Sequence, residues 1–124
     1  MPVLQNKKNG TVTIHATANA TFIVAGNSSV SNIAAPGEVL TGAVIAQMWF
    51  GSPSGNAAYW EVLRGANSVG SFDSTAYLDF RGNGVELTQD PTANVVVQLN
   101  GSTKGFITIT LVKQFAANTA PSEY

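Results

Sequence analysis

The chain has 124 residues, no cysteine, and six Lys plus Arg against seven Asp plus Glu, for a formal net charge of −1. Only 10% of residues are charged, well under the roughly 25% of an average soluble protein, which argues against the clustered cations a nucleic-acid partner requires. The missing thiols exclude disulfides, thiolate metal sites and cysteine nucleophiles, while the length fits one domain whose core needs no covalent staple.

The first segment, MPVLQNKKNG, contains Pro2 and alternates weakly. Residues 1–10 are expected to leave the domain as an arm that orders against a neighbour, with Lys7 and Lys8 as a candidate attachment point. The segment lacks the charged-then-apolar order of a signal peptide, and no apolar run approaches the ~20 residues of a membrane helix, so the expectation is a cytosolic product with no membrane partner. Asn9, Asn19, Asn27 and Asn100 open glycosylation-type triplets, which in that setting read as turn chemistry.

From residue 11 the pattern is period two, interrupted by Gly, Asn, Ser and Pro, with no helical face. Strands are expected at TVTIHA, TFIVA, GAVIAQMWF, AYWEVLR, TAYLDF, VELTQ, NVVVQLN and GFITITLVKQ. In the first of these, Val12, Ile14 and Ala16 share a core face opposite Thr11, Thr13 and His15; in the last, Ile107, Ile109 and Leu111 lie opposite Thr108 and Thr110. The NGS between NVVVQL and FITITLV reads as a hairpin turn, because Asn and Gly tolerate positive φ. Short strands with frequent turns and no crossover helices define an all-β chain, a single antiparallel β-sandwich or jelly roll over residues 11–115. Residues 116–124 are expected to form a C-terminal tail.

One strand departs from the pattern. Strict alternation sets Val44, Ala46, Met48 and Phe50 on one side, and Ile45 and Trp49 with Gln47 on the other, so both sides are mainly apolar and both need cover. A second layer of the same domain would supply it. So would a subunit contact, where aromatics and Met are enriched, which makes Ile45, Met48, Trp49 and Phe50 the candidate oligomer interface.

The charged and aromatic residues between Tyr59 and Asp90 do not assemble a catalytic motif. His15 is the sole histidine and has no acid or nucleophile near it in sequence, so a surface imidazole is the expectation. No zinc spacing or dense acidic loop marks a metal site. The glycines of RGANSVG and RGNG open no helix and read as turns rather than phosphate loops. Asp73, Asp79, Glu86 and Asp90 invite comparison with the paired carboxylates of glycosidases, but in FDST and QDPT an Asp is placed to accept local backbone hydrogen bonds. Trp60 and Val62 share a strand face with Arg64, opposite Tyr59, Glu61 and Leu63. In the next strand Ala76, Leu78 and Phe80 point inward, leaving Tyr77, Asp79 and Arg81 as an outward row. That row is the candidate recognition surface, or else a cross-strand ladder that discourages edge pairing.

The order Trp-x-Val-x-Arg-Gly-Ala-Asn-x-Val over Trp60–Val69, then YLDFRGNGVEL, then DPTANVVVQLNGS and a closing strand ending at Lys113 resembles small β-rich virion structural proteins of tailed bacteriophages. The resemblance covers the C-terminal half. It implies a virion location and a role as capsid decoration or cement protein, with the major capsid protein or another virion protein as partner and a homotrimer as the assembly form. No cofactor, metal or catalytic residue is expected. The competing expectation is a carbohydrate-binding or host-adhesion module of a virion, which an outward cluster of Trp49, Tyr59 and Tyr77 would favour. Burial of those rings between subunits would favour the decoration role.

Overall fold

The computed structural model describes residues 3–6, 10–27, 29–51, 59–73, 76–79, 90–101 and 104–115. Ten strands and no helix are found among them: β1 Val3–Asn6, β2 Thr11–Ala16, β3 Ala20–Phe22, β4 Gly26–Asn27, β5 Val39–Gly51, β6 Tyr59–Arg64, β7 Asn67–Asp73, β8 Ala76–Asp79, β9 Val95–Asn100 and β10 Phe106–Phe115. They form two antiparallel sheets. The larger, six-stranded sheet runs β1-β2-β10-β5-β4, with β8 also paired to β5; the smaller runs β3-β9-β6-β7. The 13 residues of β5 let its outer edge hold β4 at Val39 and Leu40 and β8 from Gln47 to Phe50.

The two sheets enclose one core, as the expected sandwich requires. Val12, Ile14, Ile107, Ile109 and Leu111 come from the larger sheet, and Trp60, Val62, Val95 and Val97 from the smaller. The alternation in β2 and β10 therefore sorts residues as the sequence implies, with Thr and His on the far side. The Trp60 indole N–H donates to the carbonyl of Gly51 at 3.1 Å, joining the sheets through a buried bond. A buried ring of this size is stable only with its polar atom so partnered.

Three sequence expectations need correction. First, β9 and β10 do not pair. Both edges of β10 are taken by β2 and β5, and both edges of β9 by β3 and β6, so the chain after Asn100 crosses between sheets instead of closing a hairpin. Gly101 does take φ +82°, so the turn chemistry is real, but it reverses the chain without fixing which sheet the next strand joins. Second, only the first half of RGANSVG is the expected turn: Gly65, at φ +63°, and Ala66 form the two-residue loop of a hairpin in which β6 and β7 pair from Arg64↔Asn67 outward, while residues 67–70 belong to a strand the sequence reading did not place. Third, part of the expected N-terminal arm belongs to the sheet, since Val3–Asn6 pair antiparallel with β2. Lys7 and Lys8, the VELTQ strand and the tail at 116–124 lie outside the described residues.

The doubly apolar strand has a local cause. Across from β10, Thr110 faces Gln47 and Leu111 faces Ile45, so Ala46 is the extra residue of a β-bulge. The bulge resets the alternation. Ala43 and Ile45 before it, and Met48 and Phe50 after it, all lie in the core; Val44 and Gln47 are half-buried and Trp49 is exposed. Strict period two had separated Ile45 from Met48. With the bulge they share one face, and the need for a second cover disappears.

Candidate functional site

Few charges are present, and among the described residues three are inside. Glu38, Arg64 and Lys113 are each buried. Lys113 occupies the position two residues beyond Leu111 on the core face of β10, and its ammonium donates to both Glu38 carboxylate oxygens, at 2.8 and 3.1 Å. Glu38 closes the turn Ala35-Pro36-Gly37-Glu38. Its N–H donates to the Ala35 carbonyl at 3.0 Å, Gly37 takes φ +86°, and its Oε1 accepts from the Ala35 N–H at 2.7 Å. Pro followed by a positive-φ Gly is the composition of a type II turn. The ion pair thus ties this turn to the last strand.

Arg64 ends the buried row Trp60, Val62, Arg64. Its guanidinium donates to the carbonyls of Ala43 at 2.8 Å, Pro91 at 2.8 Å and Ala93 at 2.8 and 3.2 Å, which holds β5 and the 90–94 loop against β6. A planar five-donor fork suits such a set of backbone acceptors. Burial lowers the Arg64 pKa, and the Asp90 charge acts in the opposite direction. Asp90 makes the local bonds expected of QDPT, accepting from the Thr92 hydroxyl at 2.7 Å and the Thr92 N–H at 3.0 Å. Those bonds, the hydroxyl first, hold its pKa below the usual carboxylate value, with a smaller contribution from Arg64.

The other concentration of chemistry lies on the outer face of the larger sheet. Pairing across β8, β5, β10 and β2 sets out two rows: Tyr77, Trp49, Thr108 and His15 in one, and Asp79, Gln47, Thr110 and Thr13 in the next. Tyr77 is 56% exposed and Trp49 54%. Phe106 meets Trp49 edge to face, ring centroids 5.7 Å apart at 90°, and its ring lies where a Cβ on Gly51 would come within 2.5 Å of Cε1. Glycine at 51 therefore makes the room in which Phe106 supports the tryptophan. The polar residues link in pairs: Gln47 Nε2 donates to Asp79 Oδ2 at 3.2 Å, Thr13 and Thr110 hydroxyls meet at 3.2 Å, and His15 Nδ1 lies 2.9 Å from the Thr108 hydroxyl. Val44, Val112 and Thr11 continue the face beyond them.

The sequence-derived candidates fall unevenly on this framework. Of Ile45, Met48, Trp49 and Phe50, only Trp49 reaches the surface; the other three are covered by their own chain. Tyr77 and Asp79 do stand together on β8, beside Trp49 and Gln47, while Arg81 lies outside the described residues. Tyr59 belongs to β6 in the smaller sheet and does not join them. His15 is bonded to a threonine, and the described residues contain no group of three or more His, Asp or Glu placed to hold a metal ion. The sequence reading missed the buried role of Lys113, which continuing the alternation past Leu111 would have revealed. It also missed Glu38 and Gln47, whose partners are distant in sequence and had no local signal.

Comparison of the chain with family models, with curated proteins and with solved structures finds no match.

Proposed function

We propose that the chain is a structural protein of a tailed-bacteriophage virion, made in the host cytoplasm, and that it works as a capsid decoration or cement protein without catalytic activity or cofactor. Its partner is the major capsid protein or another virion protein, and its assembly form is a homotrimer. The proposal starts from the resemblance carried by Trp60–Val69, Tyr77–Leu87 and Asp90–Lys113. The structural observation that supports it best is the placement of charge: Glu38, Arg64 and Lys113 tie loops and strands together inside the sandwich, and the described outward side chains of β2, β5, β8 and β10 named above carry one carboxylate and no Lys or Arg. A cement protein needs such a fold and complementary surface rather than reactive groups.

The trimer contact moves away from Ile45, Met48 and Phe50, which the core already uses. A protein that binds an assembled shell better than its loose subunits shifts that equilibrium toward the intact particle. Particles lacking the protein should then assemble but rupture at lower temperature, and adding the purified chain should restore them. Mass spectrometry of purified virions checks its presence, and heat-release assays check its role. Equal heat resistance with and without it would remove the cement function.

A further inference from the structure

The face that carries Trp49 and Tyr77 is built for a particular kind of ligand. The two residues are direct cross-strand partners, and such pairs on one face of an antiparallel ladder stand about 5 Å apart at Cβ. Two rings, each more than half exposed, therefore stand side by side on one face, with Phe106 packed edge to face against Trp49. The neighbouring row offers an amide, a carboxylate and hydroxyls from Gln47, Asp79, Thr110 and Thr13, and His15 with Thr108 completes the rings' own row. Their mutual hydrogen bonds hold these groups in place, and carboxylate, hydroxyl and amide groups can each engage more than one partner at once.

Charge narrows the choice of ligand. The described outward side chains of β2, β5, β8 and β10 named above include no Lys or Arg and one carboxylate, Asp79, so among these residues a phosphate backbone or other polyanion finds no lysine or arginine to meet. Protein interfaces place their apolar anchors at the centre and their polar groups at the rim. Here the rings occupy one end, and the hydroxyl and amide row runs through the middle of the face. A pyranose has the complementary pattern, with a flat C–H surface to lie on an aromatic ring and a girdle of uncharged hydroxyls to meet Thr, Gln and Asp.

We propose that this face binds a neutral oligosaccharide, with its sugar rings stacked on Trp49 and Tyr77 and their hydroxyls bonded by Gln47, Asp79 and Thr110. Stacking removes exposed aromatic surface from water, while the hydroxyl bonds mainly replace bonds to water and so add selectivity more than affinity. Binding at one site should be weak, with repeated copies on a particle raising it by multivalency. The site does not depend on where the chain is carried, so the inference goes beyond the virion proposal.

Trp60 is fully buried and Trp49 is not, and the chain has just these two tryptophans, so acrylamide quenching of the intact protein reports on Trp49. Titration with cellohexaose, maltohexaose, mannohexaose and N-acetylchitohexaose should give protection of Trp49 with at least one of them, and titration with a heparin oligosaccharide should give none. Trp49→Ala and Tyr77→Ala, followed by calorimetry, should each weaken that sugar at least about tenfold with the thermal transition retained, and Thr11→Val should leave binding unchanged. Failure of all four neutral sugars up to about 10 mM, binding that survives both ring deletions, or preference for heparin would overturn the inference. Protection that appears with protein concentration alone would assign the face to a second copy and overturn it too. Retention on virions is measured separately, so a chain that stays on particles but ignores sugars sinks this inference and leaves the virion proposal standing.

Discussion

The interior between β5, β6 and β10 and the outer face of the larger sheet share two strands, β5 and β10, and use them for opposite purposes. On the inside, Glu38, Arg64 and Lys113 are removed from water and meet a defined set of partners. On the outside, Trp49 and Tyr77 remain in water beside threonines, a glutamine and an aspartate. Residue character is thus inverted relative to the simple rule, with charges in the core and the largest exposed rings on the surface. The inside position is justified by hydrogen bonds that tie distant segments together, whereas nothing in the folding of the described chain requires the rings to be outside. The contrast separates residues whose role is the fold from residues available for recognition.

The contrast is broken most sharply at the ion pair. Removing one member leaves the other charge buried and uncompensated, at a cost of about 3–5 kcal/mol. Lys113→Met should therefore lower stability severely, measured as the urea midpoint. Replacing both partners, Glu38→Leu with Lys113→Met, should recover part of the loss, because a well-packed apolar pair of similar volume is often no worse than a buried ion pair, while the Ala35 N–H still loses its acceptor. The test is a double-mutant cycle, and additive losses would mean that the two side chains act independently.

Arg64 comes next. Lysine at this position keeps the charge but not the planar fork that reaches Ala43, Pro91 and Ala93 together, so some of those carbonyls lose their donor. Each buried polar group so stranded costs about 1–3 kcal/mol, and Arg64→Lys should fall in that range overall. Hydrogen exchange should locate the loss at Ala43, whose N–H is bonded to the Pro91 carbonyl. An unchanged exchange rate there would mean that the guanidinium does not hold the loop.

The fold was legible from sequence where two-residue alternation was unbroken. Val12, Ile14 and Ala16, and Ile107, Ile109 and Leu111, fall inside as their spacing implies, because pleating alone decides side. Legibility stopped at Ala46, where one extra residue reversed the phase and turned a strand with one apolar face into one that looked apolar on both. It stopped again at Gly101, since turn residues encode reversal and not the partner of the next strand. The candidate site was half visible: Tyr77 and Asp79 could be placed outward together, but their neighbours Trp49 and Gln47 are set beside them by the β5–β8 pairing, which no local pattern specifies.

On the outer face the expected stability changes are small. A strand with both faces covered would make Trp49→Ala damage folding or assembly. With the ring 54% exposed, its truncation should instead cost well under the ~3–5 kcal/mol of a buried tryptophan, the figure that applies to Trp60→Ala. Thermal melts of the two variants compare the two regions directly. If Trp49→Ala proved as destabilising as Trp60→Ala, the outer ring would count as part of the core and the division of roles would fail.

The smallest effect is expected at Asp90, a charge held at the surface of the same loop that Arg64 grips from inside. Thr92, through its hydroxyl and then its N–H, holds the Asp90 carboxyl below its usual value of 3.8, and Arg64 adds a lesser pull. A carboxyl whose folded pKa is depressed stabilises the fold at pH above its unfolded value, and that contribution disappears as pH falls through the folded value. Asp90→Asn keeps a side-chain oxygen for the Thr92 N–H but has no charge to titrate. Its melting temperature should therefore lie slightly below that of the parent near neutral pH, and the gap should close as the buffer is taken acid, below the ordinary Asp range. Since Asp90 is exposed, added salt should shrink the Arg64-dependent part while leaving the two Thr92 bonds. A gap that stays constant from neutral to strongly acid pH would show that the charge contributes nothing and that loop geometry alone separates the variants.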